Sequence, residues 1–360
     1  MKNAEYWKTR AVETILMSER SVVDYEKRLQ QVYDIALINI RKEINAFFSK
    51  YATNNKVTYA EARRRLTAAE LKPYHVQLKE WYRLAQELNM SPEFKQHLKE
   101  VSARTYVSRM MSLETSIMFE MERLATEKIA GYTDLLSTNY LAAYYSNYYT
   151  VSSGLQLSVN FATIDKGSID TAIRTRWDGA NYSDRIWRDK TRLIQTMEKV
   201  LPQSFSRGLS SNELGDMIAK ELNTSKNYGR TLARTEVNNL CNQSSLRVYQ
   251  ATGLQEYEYL ATLDMRTSDI CRDLDGFIGK VSLAQTGVNY PPMHPNCRST
   301  TIPYFPDDED DIEDRIARDE EGNNIKVPRK MTQEEWIKKY VPKEQQQPLL
   351  KFRNKYRPKA

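Results

Sequence analysis

A run of regularly spaced apolar residues between positions 18 and 50 limits most strongly how this chain can fold. Apolar side chains recur there at intervals of three, four or seven residues, with charged residues between them: Val22, Leu29, Tyr33, Ala36, Ile40, Ile44 and Phe47. This spacing puts the apolar side chains on one face of an α-helix. The run therefore predicts a single long helix that ends at the asparagine pair 54–55.

Further helices follow this one, each marked by a capping signal. Thr58 and Thr67 each precede a glutamate by three residues, which is the capping-box pattern of a helix start. Ser91 precedes a proline, the pattern of an N-cap residue followed by proline in the first helical position. Helical spacing then continues to about residue 250, in several pieces. With only 12 glycines and 12 prolines in 360 residues, the composition favours long helices over an all-β fold.

The periodicity of the chain changes after Gly253. Three segments beyond it alternate as β-strands do, at residues 256–262, 276–283 and 298–305. The predicted fold is therefore mainly α, with a long-helix N-terminal half followed by an α+β C-terminal domain that contains a small antiparallel sheet. The predicted domains are a helical region 1–165, an α+β domain 166–306, an acidic linker 307–325, and a short helix with a basic tail over 326–360.

Charge is distributed unevenly along the chain. The net charge is +6, yet ten acidic residues and only two basic ones lie between positions 307 and 321. The last ten residues contain no acidic residue and five basic ones: Lys351, Arg353, Lys355, Arg357 and Lys359. This pattern predicts either solvated surface or contact with a polyanion such as nucleic acid. Three cysteines, an odd number, do not indicate a disulfide framework and favour a reducing, intracellular setting.

Residues 135–164 contain no charged residue, and a segment of this length could span a membrane. Ser, Thr, Asn and Tyr fill more than half of the segment, so the prediction is a buried or interface segment and no membrane span. Tyrosines four residues apart, at 140, 144 and 148, share one helix face. They predict a packed helix–helix contact, with a protein or nucleic-acid contact surface as the alternative.

The segment PPMHPNCR, residues 291–298, brings two rare residue types together. His294 is one of three histidines and Cys297 one of three cysteines, and Cys271 lies in an aspartate-rich segment 23 residues before His294. This spacing is compatible with a zinc site formed by Cys271, His294 and Cys297, with an oxygen ligand such as Asp264. The zinc signal is incomplete, since only one pair of closely spaced ligands is present.

Two other interpretations of this segment stay open. A cysteine and a histidine can act as nucleophile and base, but no orienting third group and no oxyanion-hole loop accompany them, so no catalytic residue is assigned. Alternatively, Pro291, Pro292 and Pro295 fix the backbone as a rigid structural turn. The rigid turn, with or without a metal, is the favoured interpretation.

Arg234, Thr235 and Glu236 form a second polar group, inside a predicted helix. Residues two apart do not share a helix face, so Arg234 and Glu236 need separate partners. An ion pair of Arg234 with Asp264 or Asp275 is the expected, structural role.

Four ordered motifs resemble the phage head morphogenesis proteins, also described as Mu F-like minor head or minor capsid proteins. They are WDGANYSDRIWRDK, ARTEVNN, ATLDMRTSDICRDLDG and PPMHPNCRS, and VPRKMTQEEWIKKY further on is similar to the family's C-terminal segment. The resemblance covers about residues 170–345. The positions that match the family pattern are Arg234, Thr235, Glu236, Asp264, Arg266, Thr267, Cys271, Gly276, Pro291, Pro292, His294, Pro295, Cys297 and Arg298.

This sequence departs from the family pattern at two thiols. Ser268 stands where the family often has the first cysteine of C-x-x-C, and Ser299 stands where it often has the last cysteine of C-R-C. Serine is a poor zinc ligand. The resemblance therefore implies a metal-capable motif that lacks one ligand here, and the prediction is no cofactor, with zinc as the open alternative.

The resemblance implies a virion protein of few copies at the portal vertex, assembled in the host cytoplasm. We therefore predict a non-enzymatic minor capsid protein that acts in head morphogenesis, with a role in DNA packaging or ejection. The expected partners are the portal protein, the scaffold or major capsid protein, and double-stranded DNA bound without sequence preference by the basic tail. The alternatives are a nuclease or transferase delivered with the DNA, and an ejection-conduit protein that contacts the membrane.

Overall fold

The computed structural model of the chain describes residues 4–51, 56–155, 163–262, 267–305, 315–318, 324–327 and 333–356. Contacts divide the chain into two compact units, each assembled from separated segments. The first unit comprises Met1–Tyr25, Tyr132–Gly179 and Thr231–Ala360, and the second comprises Glu26–Gly131 and Ala180–Arg230. The domain boundaries drawn from the sequence stay predictions.

Eleven α-helices lie within the described residues. They are α1 Ala4–Tyr51, α2 Tyr59–Arg63, α3 Ala68–Glu87, α4 Pro92–Ala103, α5 Arg109–Leu155, α6 Lys166–Arg174, α7 Tyr182–Ser206, α8 Ser211–Ala251, α9 Asp269–Asp273, α10 Gln333–Tyr340 and α11 Lys343–Tyr356. The strands are β1 Glu256–Leu260, β2 Ile278–Lys280, β3 Thr300–Tyr304, β4 Arg315–Arg318 and β5 Asn324–Val327. The predicted fold class, mainly helical with a small antiparallel sheet, is confirmed.

The capping signals in the sequence mark helix starts correctly. The Thr67 side chain and Glu70 form the capping box that opens α3, and Ser91 accepts a hydrogen bond from the Phe94 backbone N–H at the start of α4. The predicted helix lengths are too short in two places. The helix predicted from residue 18 begins at Ala4, and the last of the predicted helical pieces before residue 250 is α8, a helix of 41 residues that begins at Ser211. Both extensions bury apolar side chains, which fixes them as helix through packing.

The second unit has an apolar core between α3, α4 and the start of α5. Trp81 of α3 stacks on Phe119 of α5 with ring centroids 5.3 Å apart, and Phe94 of α4 packs against the same ring. A buried polar network lies elsewhere in this unit. The Lys128 ammonium is 2.8 Å from the Tyr33 hydroxyl and 3.1 Å from Asp189 Oδ2. Removing one member of such a pair leaves a buried charge uncompensated, which costs several kcal/mol, roughly 3–5.

The first unit contains the three-stranded antiparallel sheet, in the order β2-β1-β3. Tyr257 lies opposite Gly279 and Tyr259 lies opposite Thr301. A Cβ atom at Gly279 would lie 2.5 Å from the Tyr257 ring, so this position of β2 requires glycine. Tyr257 and Tyr259 share one face of β1 and are almost completely buried, so this face of the sheet lies in the core of the unit.

The tyrosines of the uncharged segment lie in the first unit and are buried along α5. Tyr144 and Tyr148 have ring centroids 4.9 Å apart, and both are about 2% exposed. Their burial agrees with the predicted packed helix–helix contact. Buried rings are not available to bind another protein or nucleic acid. Within the described residues, no helix is both long and apolar enough to cross a membrane.

The C-terminal part differs from the sequence-based expectation. The acidic segment is predicted to be a linker, but β4 within it pairs antiparallel with β5. Helix α10 lies within residues 326–360, where the sequence predicts a short helix. The basic tail is helical to Tyr356, and α11 buries Leu349 and Phe352. Apolar residues at spacing three on α11 explain this helix, since burial of one face stabilises it.

Candidate metal centre

The loop that carries His294 and Cys297 is held by its own backbone. The Pro291–Pro292 peptide bond is cis, and both prolines are buried. Asn296 has a φ of 60°, a left-handed conformation that asparagine tolerates better than most residues. The Cys297 backbone N–H then donates to the His294 carbonyl at 3.1 Å, which closes the turn. The side chains of His294 and Cys297 thereby share one side of the loop.

Cys271 reaches this loop from helix α9. The Ser268 hydroxyl caps the helix and accepts from the Cys271 backbone N–H at 3.3 Å. Cys271 Sγ lies 3.3 Å from His294 Nε2 and 3.7 Å from Cys297 Sγ. All three ligand atoms lie within 4.8 Å of one another. We call these residues, Cys271, His294 and Cys297, the Cys–His–Cys cluster.

The spacing of the Cys–His–Cys cluster fits a tetrahedral zinc ion. With Zn–S bonds of about 2.3 Å and Zn–N bonds of about 2.0 Å, two sulfurs lie about 3.8 Å apart and a sulfur and a nitrogen about 3.5 Å apart. The observed separations of 3.7 and 3.3 Å agree closely with these values. The third separation, between His294 Nε2 and Cys297 Sγ, is at most 4.8 Å.

The histidine of the cluster is oriented for ligation through Nε2. His294 Nδ1 lies 2.9 Å from the Pro295 carbonyl oxygen. A carbonyl oxygen only accepts, so this contact places the ring proton on Nδ1 and leaves the lone pair on Nε2. The Ser268 hydroxyl, 2.8 Å away, donates to that lone pair. Fixing the second ring nitrogen in this way is common among metal-ligating histidines.

The two thiols of the cluster differ in their electrostatic environment. The hydrogen bond from Cys297 and those from neighbouring hydroxyls lower the pKa of Cys271, although burial opposes this. The Tyr259 hydroxyl is one of these donors, at 3.3 Å from Cys271 Sγ. The same contact with Cys271, together with burial, raises the pKa of Cys297. The first negative charge of the pair therefore forms most readily on Cys271. A cation bound at the cluster would favour a second negative charge, on Cys297.

Ser268 lies at the fourth corner of the cluster, where the family pattern has a cysteine. Its hydroxyl is a poor zinc ligand and instead hydrogen-bonds to His294. The donor set therefore fits a zinc ion with three protein ligands and one position left for water. Asp264, the predicted oxygen ligand, lies outside the described residues.

Thr235 connects helix α8 to the cluster loop. Its hydroxyl donates to the Thr231 carbonyl at 2.7 Å and accepts from the Asn296 backbone N–H at 3.0 Å. Glu236, buried beside it, accepts from the Trp177 indole N–H at 2.8 Å. Thr235 and Glu236 thus make structural contacts, and Thr235 contacts the cluster loop directly.

Arg234 is exposed and lines a cleft together with Arg298. Of the two proposed partners of Arg234, Asp264 lies outside the described residues, and the Asp275 carboxylate accepts from the Ala261 backbone N–H at 2.9 Å. The motif residue Arg266 also lies outside the described residues. Gly276 has a φ of 77° and its N–H donates to the Tyr259 carbonyl, so this motif position favours glycine.

Two asparagines of α8 hold the far side of the loop. The sequence pattern did not identify them as site residues. The side-chain amides of Asn238 and Asn242 both donate to the Ser299 carbonyl, at 3.1 and 3.2 Å. Asn242 Oδ1 also accepts from the Thr300 hydroxyl. Their spacing of four on one helix face was the available signal, but the partner segment is more than fifty residues away in sequence.

The openings beside the cluster are of different sizes. A cleft of about 560 Å³ is lined by residues of α1, by Arg234 of α8 and by His294, Cys297 and Arg298 of the loop. A recess of about 10 Å³, enough for about one water molecule, reaches Cys271. This recess therefore admits only very small molecules to Cys271.

The five basic residues near the C-terminus have different surroundings. Lys355 Nζ pairs with Asp24 at 2.8 Å, and Arg353 lies 3.8 Å from Glu13, both on α1. Lys351 is exposed. The remaining two, Arg357 and Lys359, lie outside the described residues. Two of the five predicted DNA-contacting residues are therefore engaged with acidic residues of the same chain.

The comparison with known families agrees with the sequence motifs. A family model described as "Phage Mu protein F like protein" matches residues 195–302. This segment contains three of the four motifs, strands β1 and β2, the start of β3 and the entire Cys–His–Cys cluster. The match confirms the resemblance over this segment, which is less than half of the chain. No curated protein and no solved structure gives a significant match.

Proposed function

We propose that this chain is a minor capsid protein of a tailed phage that sits at the portal vertex in few copies and acts in head morphogenesis. The observation that carries the proposal is the family match over residues 195–302, the segment that forms the cluster and the sheet. The portal protein is the expected principal partner, with scaffold or major capsid protein as further contacts. A role in DNA packaging or ejection follows from that position.

The surroundings of Cys271 support a structural role over catalysis. A nucleophilic thiol must reach a substrate carbon or phosphorus atom, with the base within hydrogen-bond distance. His294 lies close enough to Cys271, but the recess beside the thiol holds about one water molecule. An acyl or phosphoryl group does not fit there. We therefore favour a non-enzymatic protein over a nuclease or transferase.

We propose in addition that the Cys–His–Cys cluster binds zinc as a structural staple. The cluster joins helix α9 to the loop 291–298, and α9 has only five residues. Such a short helix has little stability of its own. Zinc at this point would stabilise the fold of the C-terminal domain without supplying chemistry to a substrate.

We propose a limited contact with DNA through Lys351 and through two basic residues, Arg357 and Lys359, that lie outside the described residues. Lys351 is exposed on α11, and Arg357 and Lys359 follow in the sequence. Lysine and arginine at such positions bind phosphates without reading the bases. The salt dependence of DNA binding tests this contact.

The location of the chain in phage particles tests the main proposal. Purified particles are blotted for this chain before and after triggered DNA release, with the portal protein as a retained control and an abundant host protein as a contamination control. We expect the chain in full particles at a copy number near that of the portal protein. Absence from washed particles would overturn the minor-capsid proposal and leave an enzyme acting in the host as the leading explanation.

The emptied particles separate two versions of the proposal. Retention of the chain with the portal indicates a fixed vertex component. Loss together with the DNA indicates a protein delivered with the genome. If the lost chain is then found with host membranes, the alternative of an ejection-conduit protein is supported.

A further inference from the structure

The two cluster thiols are close enough to react with each other. The sulfurs of Cys271 and Cys297 lie 3.7 Å apart, and a disulfide bond needs them at about 2.05 Å. Both side chains are buried, and each is a free thiol. The segment between them spans 26 positions, so no tight-loop geometry opposes the bond. Formation of the bond brings the sulfurs about 1.7 Å closer together.

Each of these thiols also has its own access to small molecules. The recess of about 10 Å³ reaches Cys271 and has room for a molecule close to water in size. Cys297 lines the larger cleft of about 560 Å³. Hydrogen peroxide is close to water in size, whereas larger oxidants are excluded from Cys271.

The third cysteine provides a contrast within the same chain. Cys241 lies on α8, where its Sγ is 3.1 Å from the Ser18 hydroxyl. It lines neither the cleft nor the recess and does not belong to the cluster. Burial raises the pKa of its thiol to about 11, which keeps it protonated. Cys241 is therefore a matched control for thiol oxidation.

We propose that Cys271 and Cys297 form a redox-sensitive pair that a hydroperoxide converts into an intramolecular disulfide, and that a metal held by the same two sulfurs blocks this reaction. Hydrogen peroxide oxidises the Cys271 sulfur to a sulfenic acid and is reduced to one water molecule. The Cys297 sulfur then attacks the sulfenic sulfur, the S–O bond breaks, and a second water leaves. Two thiols and one peroxide thus give one disulfide and two waters.

This exchange gives the cluster two ways of joining α9 to the loop. In a reducing compartment, a metal bound by the two thiolates joins α9 to the loop. In an oxidising compartment, the disulfide joins them. The chemistry depends only on the geometry of the cluster. Its value for a particle that leaves the host cell depends on the proposed virion role, so the test uses the purified chain and is independent of particle location.

The test follows the three thiols of the purified full-length chain. The protein is freed of metal with a chelator, treated with hydrogen peroxide, alkylated under denaturing conditions, and analysed by intact mass and peptide mapping. We expect a loss of two hydrogens, one alkylated cysteine instead of three, and a reducible link between the peptides of Cys271 and Cys297. The Cys241→Ser variant should form the same link, while Cys271→Ser and Cys297→Ser should not.

Several results would overturn the inference. Three alkylated cysteines after peroxide treatment, stable oxygen adducts on Cys271 without a link, or a link to Cys241 each exclude the proposed pair. These outcomes are measured on the wild-type chain, so they hold even if a serine variant fails to fold. Zinc-loaded protein should form the disulfide at least about tenfold more slowly than the metal-free protein. An equal rate would exclude zinc binding by the two sulfurs that form the disulfide.

Discussion

At the scale of residues, Ser268 and Thr235 decide how the cluster is completed and held. Ser268 occupies the corner beside His294 where a fourth ligand would lie, and Thr235 fixes the loop from the opposite element. Neither residue is a metal ligand of the usual kind. The two residues therefore allow the fourth ligand and the support of the loop to be tested separately.

The Ser268→Cys substitution should complete a four-ligand site. A thiolate at this position would replace water in the zinc tetrahedron, and closed four-ligand sites are typical of structural zinc. We expect zinc to bind at least about tenfold more tightly, which corresponds to about 1.4 kcal/mol. Competition with a chromophoric chelator measures the change. Asp269→Cys is the control, because the neighbouring Asp269 side chain is 89% exposed and lies outside the cluster. Equal gains in the two variants would exclude a defined fourth corner.

The Thr235→Val substitution should loosen the loop without removing a ligand. Valine has nearly the shape of threonine but cannot accept the Asn296 N–H. We expect a loss of about 1 kcal/mol in the free energy of unfolding, together with weaker zinc binding. Denaturant unfolding and the chelator competition measure the two effects. Thr235→Ser keeps the hydroxyl and should retain most of both, and an equal loss in Ser and Val variants would point to packing instead.

At the scale of elements, the helix starts depend on local hydrogen bonds that are sensitive to acid. Glu70 caps α3, where it accepts from the Thr67 backbone N–H and hydroxyl, both at 2.7 Å, and from the Tyr51 hydroxyl at 2.8 Å. Burial opposes ionisation of Glu70, but these bonds and the Arg109 charge lower its pKa to about 2. Because the folded pKa lies below the unfolded value, the stabilisation is present above about pH 4.5. It is lost as the pH falls towards 2.

The Glu70→Gln substitution should therefore matter at neutral pH and less in acid. We expect it to lower the free energy of unfolding by about 1 kcal/mol at pH 6, the usual scale of an N-terminal cap, and by clearly less at pH 3. Guanidinium unfolding followed by circular dichroism at the two pH values measures the difference. Glu93→Gln, an acidic residue in the first turn of α4, is the control. A difference between wild type and Glu70→Gln that does not change with pH would rule out the cap as its source.

At the scale of the whole molecule, the C-terminal segment is partly a packed helix and partly a basic end. Lys355 and Arg353 face acidic residues of α1, and the Arg20 guanidinium donates to the Tyr356 carbonyl at 3.2 Å. These contacts, with the burial of Phe352, hold α11 in the first unit. DNA contact is therefore expected from the other basic residues of this segment, Lys351, Arg357 and Lys359. The charge of a residue alone does not show whether it is available to DNA.

Neutralising the basic residues outside those pairs should weaken DNA binding and reduce its salt dependence. In the triple variant Lys351→Gln, Arg357→Gln and Lys359→Gln, the slope of log K against log salt should fall by up to about 2.7, since each phosphate contact contributes about 0.9. Fluorescence anisotropy at several salt concentrations measures the slope. The control variant removes three exposed lysines elsewhere, Lys72, Lys79 and Lys99, and should change the slope much less. Absence of binding at low salt, or a flat salt response in the wild type, would remove the DNA contact from the proposal.

The sequence by itself determined features that depend on neighbouring residues. Thr67 and Ser91 mark helix starts because a cap forms within three residues of its partner. The alternation of 256–260 and 300–304 predicts strands for the same reason, since side-chain direction follows from local backbone geometry. The ordered motifs predicted the resemblance that the family match over residues 195–302 supports, and the cluster candidates were found because cysteine and histidine are rare in this chain.

Only the tertiary structure decided which candidates meet and what they can do together. It brought Cys271 to 3.3 Å from His294 while placing Cys241 in a different environment, although all three cysteines look alike in sequence. It also paired Lys355 with Asp24, more than three hundred positions away. Such contacts depend on how distant elements pack, because the apolar faces that determine packing are distributed over the whole chain and no local pattern contains them.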